Sequence, residues 1–212
     1  MCFDAKTSIT TFIIGTGLNI YLYQLTNNIN VKLIALLWQF SLSMQLLDFL
    51  TWSSDCPSRQ QTISTRLSYI FNILQPIAIL LFAFILKNDL SFSEKSIGTF
   101  LAFFYLCYIL VVGYFKKNQA KDCIKNINGC KHVDYYWWKD NKYLGVLYFI
   151  VLYVLTILFI KPFKFAISQL AYITITFLLS MTFYNCGIPS IWCFFQVLAP
   201  LYTILTVKMM KL

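Results

Sequence analysis

The amino-acid sequence predicts an all-α, polytopic integral membrane helix bundle of about seven transmembrane helices, a single domain over residues 1–212. Three observations carry this. Hydrophobic residues make up 59% of the chain and charged residues 12%, with a mean hydropathy of +0.68, well outside the range of a soluble domain of this length. The apolar residues fall into runs of membrane-crossing length, whereas barrel strands would alternate and be half as long. Aromatic residues reach 18%, with 14 Tyr and 5 Trp, enough to populate two interfacial belts.

In order, the predicted spans are 9–25, 32–52, 66–86, 97–115, 143–160, 165–183 and 190–207. The first ends at the polar break Thr26-Asn27-Asn28, and the second at a loop whose Ser and Pro57 turn the chain. The third closes at Lys87. The fourth gives way to the one long polar loop, 116–142, with seven lysines, Cys123, Cys130, the sole His132 and the run Tyr135-Tyr136-Trp137-Trp138. The fifth turns at Lys161-Pro162, and the sixth leads into the seventh through Gly187 and Pro189. The fourth and fifth spans are nearly all aliphatic and aromatic, and are expected at the periphery.

The net charge of +9 does not point to nucleic acid, because no basic, aromatic-interleaved helix stands clear of the apolar runs. Lysines between spans instead suit a bilayer with anionic headgroups. With the amino end in the cytoplasm, that side carries ten basic residues, seven of them in loop 116–142, and the other side seven. The positive-inside rule therefore favours a cytoplasmic amino end. Seven cysteines, an odd number, argue against a complete intramolecular disulfide framework. Residues 1–8 lack a basic n-region and cleavage site, so the first span is expected to be retained.

Asp48 is the one acidic residue inside an apolar run. Trp38, Ser41, Gln45, Asp48 and Trp52 share an arc of about 80° on one helix face. A carboxylate at the centre of a membrane helix costs about 2.5–3.5 kcal/mol, so it usually has partners or a task. It either reaches interfacial water or is held protonated, with Gln45, Asn72 or Gln75 as partners. Asn19, Gln169, Trp192 and Gln196 line up in other spans, which suggests that spans one, two, three, six and seven converge on a polar interior. The plainer alternative is packing glue, since such side chains hydrogen-bond across membrane helices at about 0.6 kcal/mol each. Pro76 and Pro200 fall inside spans, where a kink is the usual outcome.

Other chemistry finds little support. The last span has lysine at its end and none at depth, which argues against a retinal protein. Cys123, Cys130 and His132 match no zinc spacing, so neither a metal site nor a cofactor is expected. No catalytic set is assigned, although Cys2, after loss of Met1, or Cys193 keeps an intramembrane enzyme open as an alternative.

Three segments carry a resemblance: Met1-Cys2-Phe3-Asp4-Ala5-x-x-Ser8, Met44-Gln45-x-x-Asp48-x-x-x-Trp52, and Ser190-Ile191-Trp192-Cys193-Phe194, with Gln75-Pro76 a weaker fourth. The chain resembles a family of small multi-span membrane proteins of microbes and large DNA viruses that opens Met-Cys-Phe-Ser-Ala-x-x-Ser. Relatives carry Glu where this chain has Asp48, and Ser where it has Asp4. The family has no established activity, so the resemblance implies a membrane bundle and nothing about chemistry. A viral origin would suit the high Ile, Asn, Lys, Phe and Tyr usage.

The expected function is a small channel or transporter-like bundle for protons or small cations, with Asp48 as its ionisable group. The alternative is a non-transporting interaction protein that docks a partner through loop 116–142. Self-association is compatible with either.

Overall fold

The structure, a computed structural model, describes residues 4–116, 142–183, 192 and 194–212. The predicted loop 116–142, Cys2 and Cys193 therefore lie wholly or almost wholly outside the described residues. Helices α1 (Ala5–Leu25), α2 (Ile29–Trp52), α3 (Arg59–Leu86) and α4 (Phe92–Lys116) precede that loop. After it come α5 (Lys142–Phe159), α6 (Phe163–Phe183), a 3-10 turn (Gln196–Leu198) and α7 (Ala199–Met210). No strand occurs among the described residues, and the fold is an all-α bundle.

Helix starts follow local chemistry. Asp4 caps α1 by accepting from Thr7 N (2.6 Å), and Ser58 caps α3 by accepting from Gln61 N (3.1 Å). At α4, Ser91 N donates to Glu94 Oε2 (2.9 Å) while Glu94 N donates to Ser91 Oγ (3.2 Å), a reciprocal capping box. α3 runs unbroken through Pro76, which has no N–H for the Asn72 carbonyl.

Cross-helix bonds set the directions. Thr11 to Gln45 and Asn19 to Ala35 make α1 and α2 antiparallel. Thr51 to Ser64 and Lys87 to Asn30 do the same for α2 and α3. Tyr105 donates to the Ile73 carbonyl (3.0 Å), fixing α4 against α3. Tyr148 to Gln75 and Lys87 to the Phe159 carbonyl run α5 parallel to α3. The bundle thus has a Cys56 end, at the α2–α3 loop, and a Lys87 end. At the Cys56 end, Cys56 itself is disulfide-bonded.

The count of seven spans needs correction. Among the described residues four helices are long and apolar enough to cross a membrane: Ile29–Trp52, Arg59–Leu86, Phe92–Val111 and Phe163–Thr182. Tyr143–Phe159 and Gln196–Met210 are apolar but short. α1 has 21 residues, yet its Thr, Ser and Asn dilute its hydropathy. Its arrangement still differs from that of a soluble helix. Ser8, Gly15 and Asn19 are buried, while Ile13 is 63% exposed and Ile14 53% exposed. At Gly15 an added Cβ would sit 2.6 Å from Leu42 Cδ2, so glycine allows the close approach of α1 to α2.

The expected periphery is right for α4 and wrong for α5. α4 turns Phe100, Phe103, Phe104 and Leu110 outward. α5 buries Leu144, Tyr148, Val151, Leu152, Leu155 and Phe159, because its inner side packs against α3 as well as α6.

Candidate functional site: a buried polar column

All eight residues singled out in the sequence are buried: Asn19, Gln45, Asp48, Asn72, Gln75, Gln169, Trp192 and Gln196. They do not form one cluster. The antiparallel register of α2 and α3 sets Ser41 level with Gln75, Gln45 with Asn72, and Asp48 with Ser68. Thr51 completes the column by donating to Ser64 Oγ (2.9 Å), and Gln61 Nε2 donates to Thr65 (3.1 Å). Asp48 is 0% exposed, and both it and Asn72 interact with their surroundings inside the bundle. Gln45 Oε1 accepts from Thr11 of α1 (3.1 Å).

A second network begins at mid-depth. Trp38 Nε1 donates to Thr203 (3.0 Å), whose hydroxyl lies 2.8 Å from Gln169 Oε1 and 2.9 Å from the Ala199 carbonyl. Trp192 Nε1 donates to Thr176 (3.2 Å), and its ring packs between Phe149, Phe177 and Tyr148. Asn19 belongs to neither network. Its Nδ2 donates to the Ala35 carbonyl (2.8 Å) and to Gln39 Oε1 (3.1 Å), and Gln39 in turn donates to Thr16 (3.2 Å). By helical rise this group lies roughly 15 Å along α2 from Asp48, too far for direct contact.

Hydroxyl and carboxamide groups behave differently here. Thr11, Thr51, Thr156, Thr176, Ser180 and Thr203 each lie within hydrogen-bond distance of the carbonyl four residues back, so these hydroxyls have an acceptor on their own helix. The buried Ser68 hydroxyl is an exception, with no partner among the described residues. A carboxamide or carboxylate has no such retreat. Gln45, Asp48, Asn72, Gln75, Gln169 and Gln196 are therefore the side chains that make the interior specific.

Between the networks lies a small cavity of about 10 Å³, whose walls include Trp38, Ser41, Gln75, Tyr148, Trp192 and Gln196. Tyr148 donates to Gln75 Oε1 at 2.5 Å. Tyr148 is the chief residue that sequence reasoning missed, since one tyrosine in an aliphatic run looks like belt or packing. Gln61, Ser64 and Thr65 were missed because α3 continues seven residues before the predicted start of its span.

No group of three or more His, Cys, Asp or Glu that could hold a metal occurs among the described residues, and Cys123, Cys130 and His132 lie outside them. The chain matches no protein-family model, no curated protein and no solved structure.

Proposed function

We propose that this is an integral membrane protein that handles protons, with Asp48 as the group that takes them up and releases them. One observation carries the reading: a carboxyl side chain with no exposed surface stands in a column of polar side chains that reaches from mid-depth to the Cys56 end. Isolating a carboxylate there is costly, and polar company gives both its charged and neutral forms hydrogen-bond partners. Protons suit the site better than hydrated cations, because the cavity beyond Ser41 has room for about one water.

Conduction would need a rearrangement. Beyond Trp38 the interior is closed by Leu33, Ile34, Leu37, Ile77 and Leu80. That closure favours the rival reading, a non-transporting interaction protein with loop 116–142 as its docking segment. Proton flux into liposomes separates the two. Flux in the wild type that drops to the empty-liposome level in Asp48→Asn supports proton handling; no flux in either protein supports the rival.

Orientation is proposed on two opposed observations. The lysine count assigns the Cys56 end to the cytoplasm, whereas a disulfide at Cys56 favours an oxidising compartment. We favour the disulfide, since the charge bias comes from one loop. Glycosylation acceptors inserted at 53–58 and at 88–91 decide it: modification at 53–58 alone is the expected result.

We propose further that the chain belongs with the Met-Cys-Phe family. Asp4 in place of Ser keeps an N-cap at α1, a role both residues fill well.

A further inference from the structure

Three buried polar atoms near the cavity have no hydrogen-bond partner among the described residues: Gln75 Nε2, Gln196 Nε2 and Gln196 Oε1. Both side chains line the cavity, and Gln196 is 3% exposed. Leaving a buried amide unsatisfied is costly, so two such side chains lining one space point to something between them. We infer that the cavity binds a single water molecule, which joins Gln75 of α3 to Gln196 of the 3-10 turn, with Ser41 of α2 also lining the space.

Size and chemistry both select water. The cavity volume of about 10 Å³ is close to the roughly 10–15 Å³ that one water requires. Gln75 Oε1 already accepts from Tyr148, whereas its Nε2 donors have no partner among the described residues. Gln196 offers a donor and an acceptor, and Ser41 can act as either. A cation would meet amide hydrogens, and an anion would meet the Gln196 carbonyl. A neutral molecule that both donates and accepts fits both walls.

The consequence is a link. Gln75 belongs to the α2–α3 column, and Gln196 precedes α7, which carries the Trp38–Thr203–Gln169 network. The bound water therefore ties α3, and α5 through the Tyr148–Gln75 bond, to the turn that leads into α7. It stands apart from proton handling by Asp48.

The test is solution NMR on the full chain in nanodiscs with ¹⁵N-glutamine labelling, using Gln75→Met and Gln196→Met to assign the two carboxamides. Water-to-amide cross-peaks at both Gln75 and Gln196 in the wild type are expected. Gln196→Met should remove the cross-peak at Gln75, whereas Asp48→Asn should leave both in place. A direct Gln75–Gln196 contact without water, or amides silent toward water, would overturn the inference. Should Gln196→Met not fold, pulsed hydroxyl-radical labelling of the wild type substitutes. Oxidation of the buried Tyr148 and Trp192 rings supports the site, and their protection overturns it.

Discussion

From Ser41 toward Cys56 the interior is lined by Gln45, Asp48, Thr51, Gln61, Ser64, Ser68 and Asn72. From Leu37 toward Lys87 it is lined by Leu33, Ile34, Ile77, Leu80, Ala83 and Phe159. In a bilayer the second half gains little from the hydrophobic effect, because lipid tails are as apolar as its own side chains. It is held by shape and dispersion, which fail sharply when volume is lost. The first half is held by pairwise hydrogen bonds, each modest and partly replaceable. One half is therefore sensitive to size and tolerant of polarity loss, and the other the reverse.

The largest effect should come from the apolar half. Phe159 is fully buried, and a Cβ on Gly98 would lie 2.8 Å from its Cζ. Phe159→Ala should cost about 2–3 kcal/mol, since the cavity term survives in lipid while the transfer term largely falls away. Unfolding in mixed micelles measures it. A cost no larger than that of a hydroxyl deletion would break the comparison.

Next comes the clamp at the Lys87 end. Lys87 Nζ donates to Asn30 Oδ1 (2.8 Å) and to the Phe159 carbonyl (2.7 Å). Lys87→Met should cost about 1–1.5 kcal/mol, at or below the low end for charged hydrogen bonds because the lysine is only half-buried. Desolvation lowers the Lys87 pKa from its ordinary 10.5, so the folded state holds that proton less tightly than the unfolded. Wild-type stability should then rise as pH climbs through the folded value toward 10.5, and Lys87→Met should lack that rise.

The polar half calls for a double-mutant cycle. Thr51→Val and Ser64→Ala should show a coupling near 0.6 kcal/mol, the average for interhelical hydrogen bonds in membranes. A value above about 2 kcal/mol would mean that the column is more rigid than glue. The smallest effect lies outside both halves. Glu94 closes the capping box at the start of α4 by accepting from Ser91 N and from the Ser91 hydroxyl. Glu94→Ala should cost no more than about 0.5 kcal/mol, discounted for exposure, as measured by unfolding in the same micelles.

This asymmetry was half legible in the sequence. The polar face of α2 follows from 3.6-residue periodicity, and Ser68, Asn72 and Gln75 share a face of α3 by the same arithmetic. Each carboxamide named from periodicity is buried. What periodicity could not give is which helix faces which. Tyr148 acquires meaning only through the parallel docking of α5 on α3, a long-range fact with no local signal. Asn19 looked like a member of the same interior and is not, because register along α2 separates it from Asp48. The span count is too high for a related reason: a short apolar run suits a packed helix as well as a membrane-crossing one, and Tyr143–Phe159 and Gln196–Met210 are apolar but short. α1 is long enough, but the polar residues it keeps inside lower its mean hydropathy.

Asn30 Oδ1 accepts from both Lys87 Nζ and Lys161 N, and Lys87 also donates to the carbonyl of Phe159, the last residue of α5. This one knot joins residues 30, 87 and 161, so it cannot be tied until most of the chain has left the ribosome. The first two helix hairpins can meet early, but the Lys87 end is fastened only when α5 arrives beside α3. The bundle thus has an assembly order written into it, and a chain halted before residue 161 would present a lysine with part of its binding site still unsynthesised.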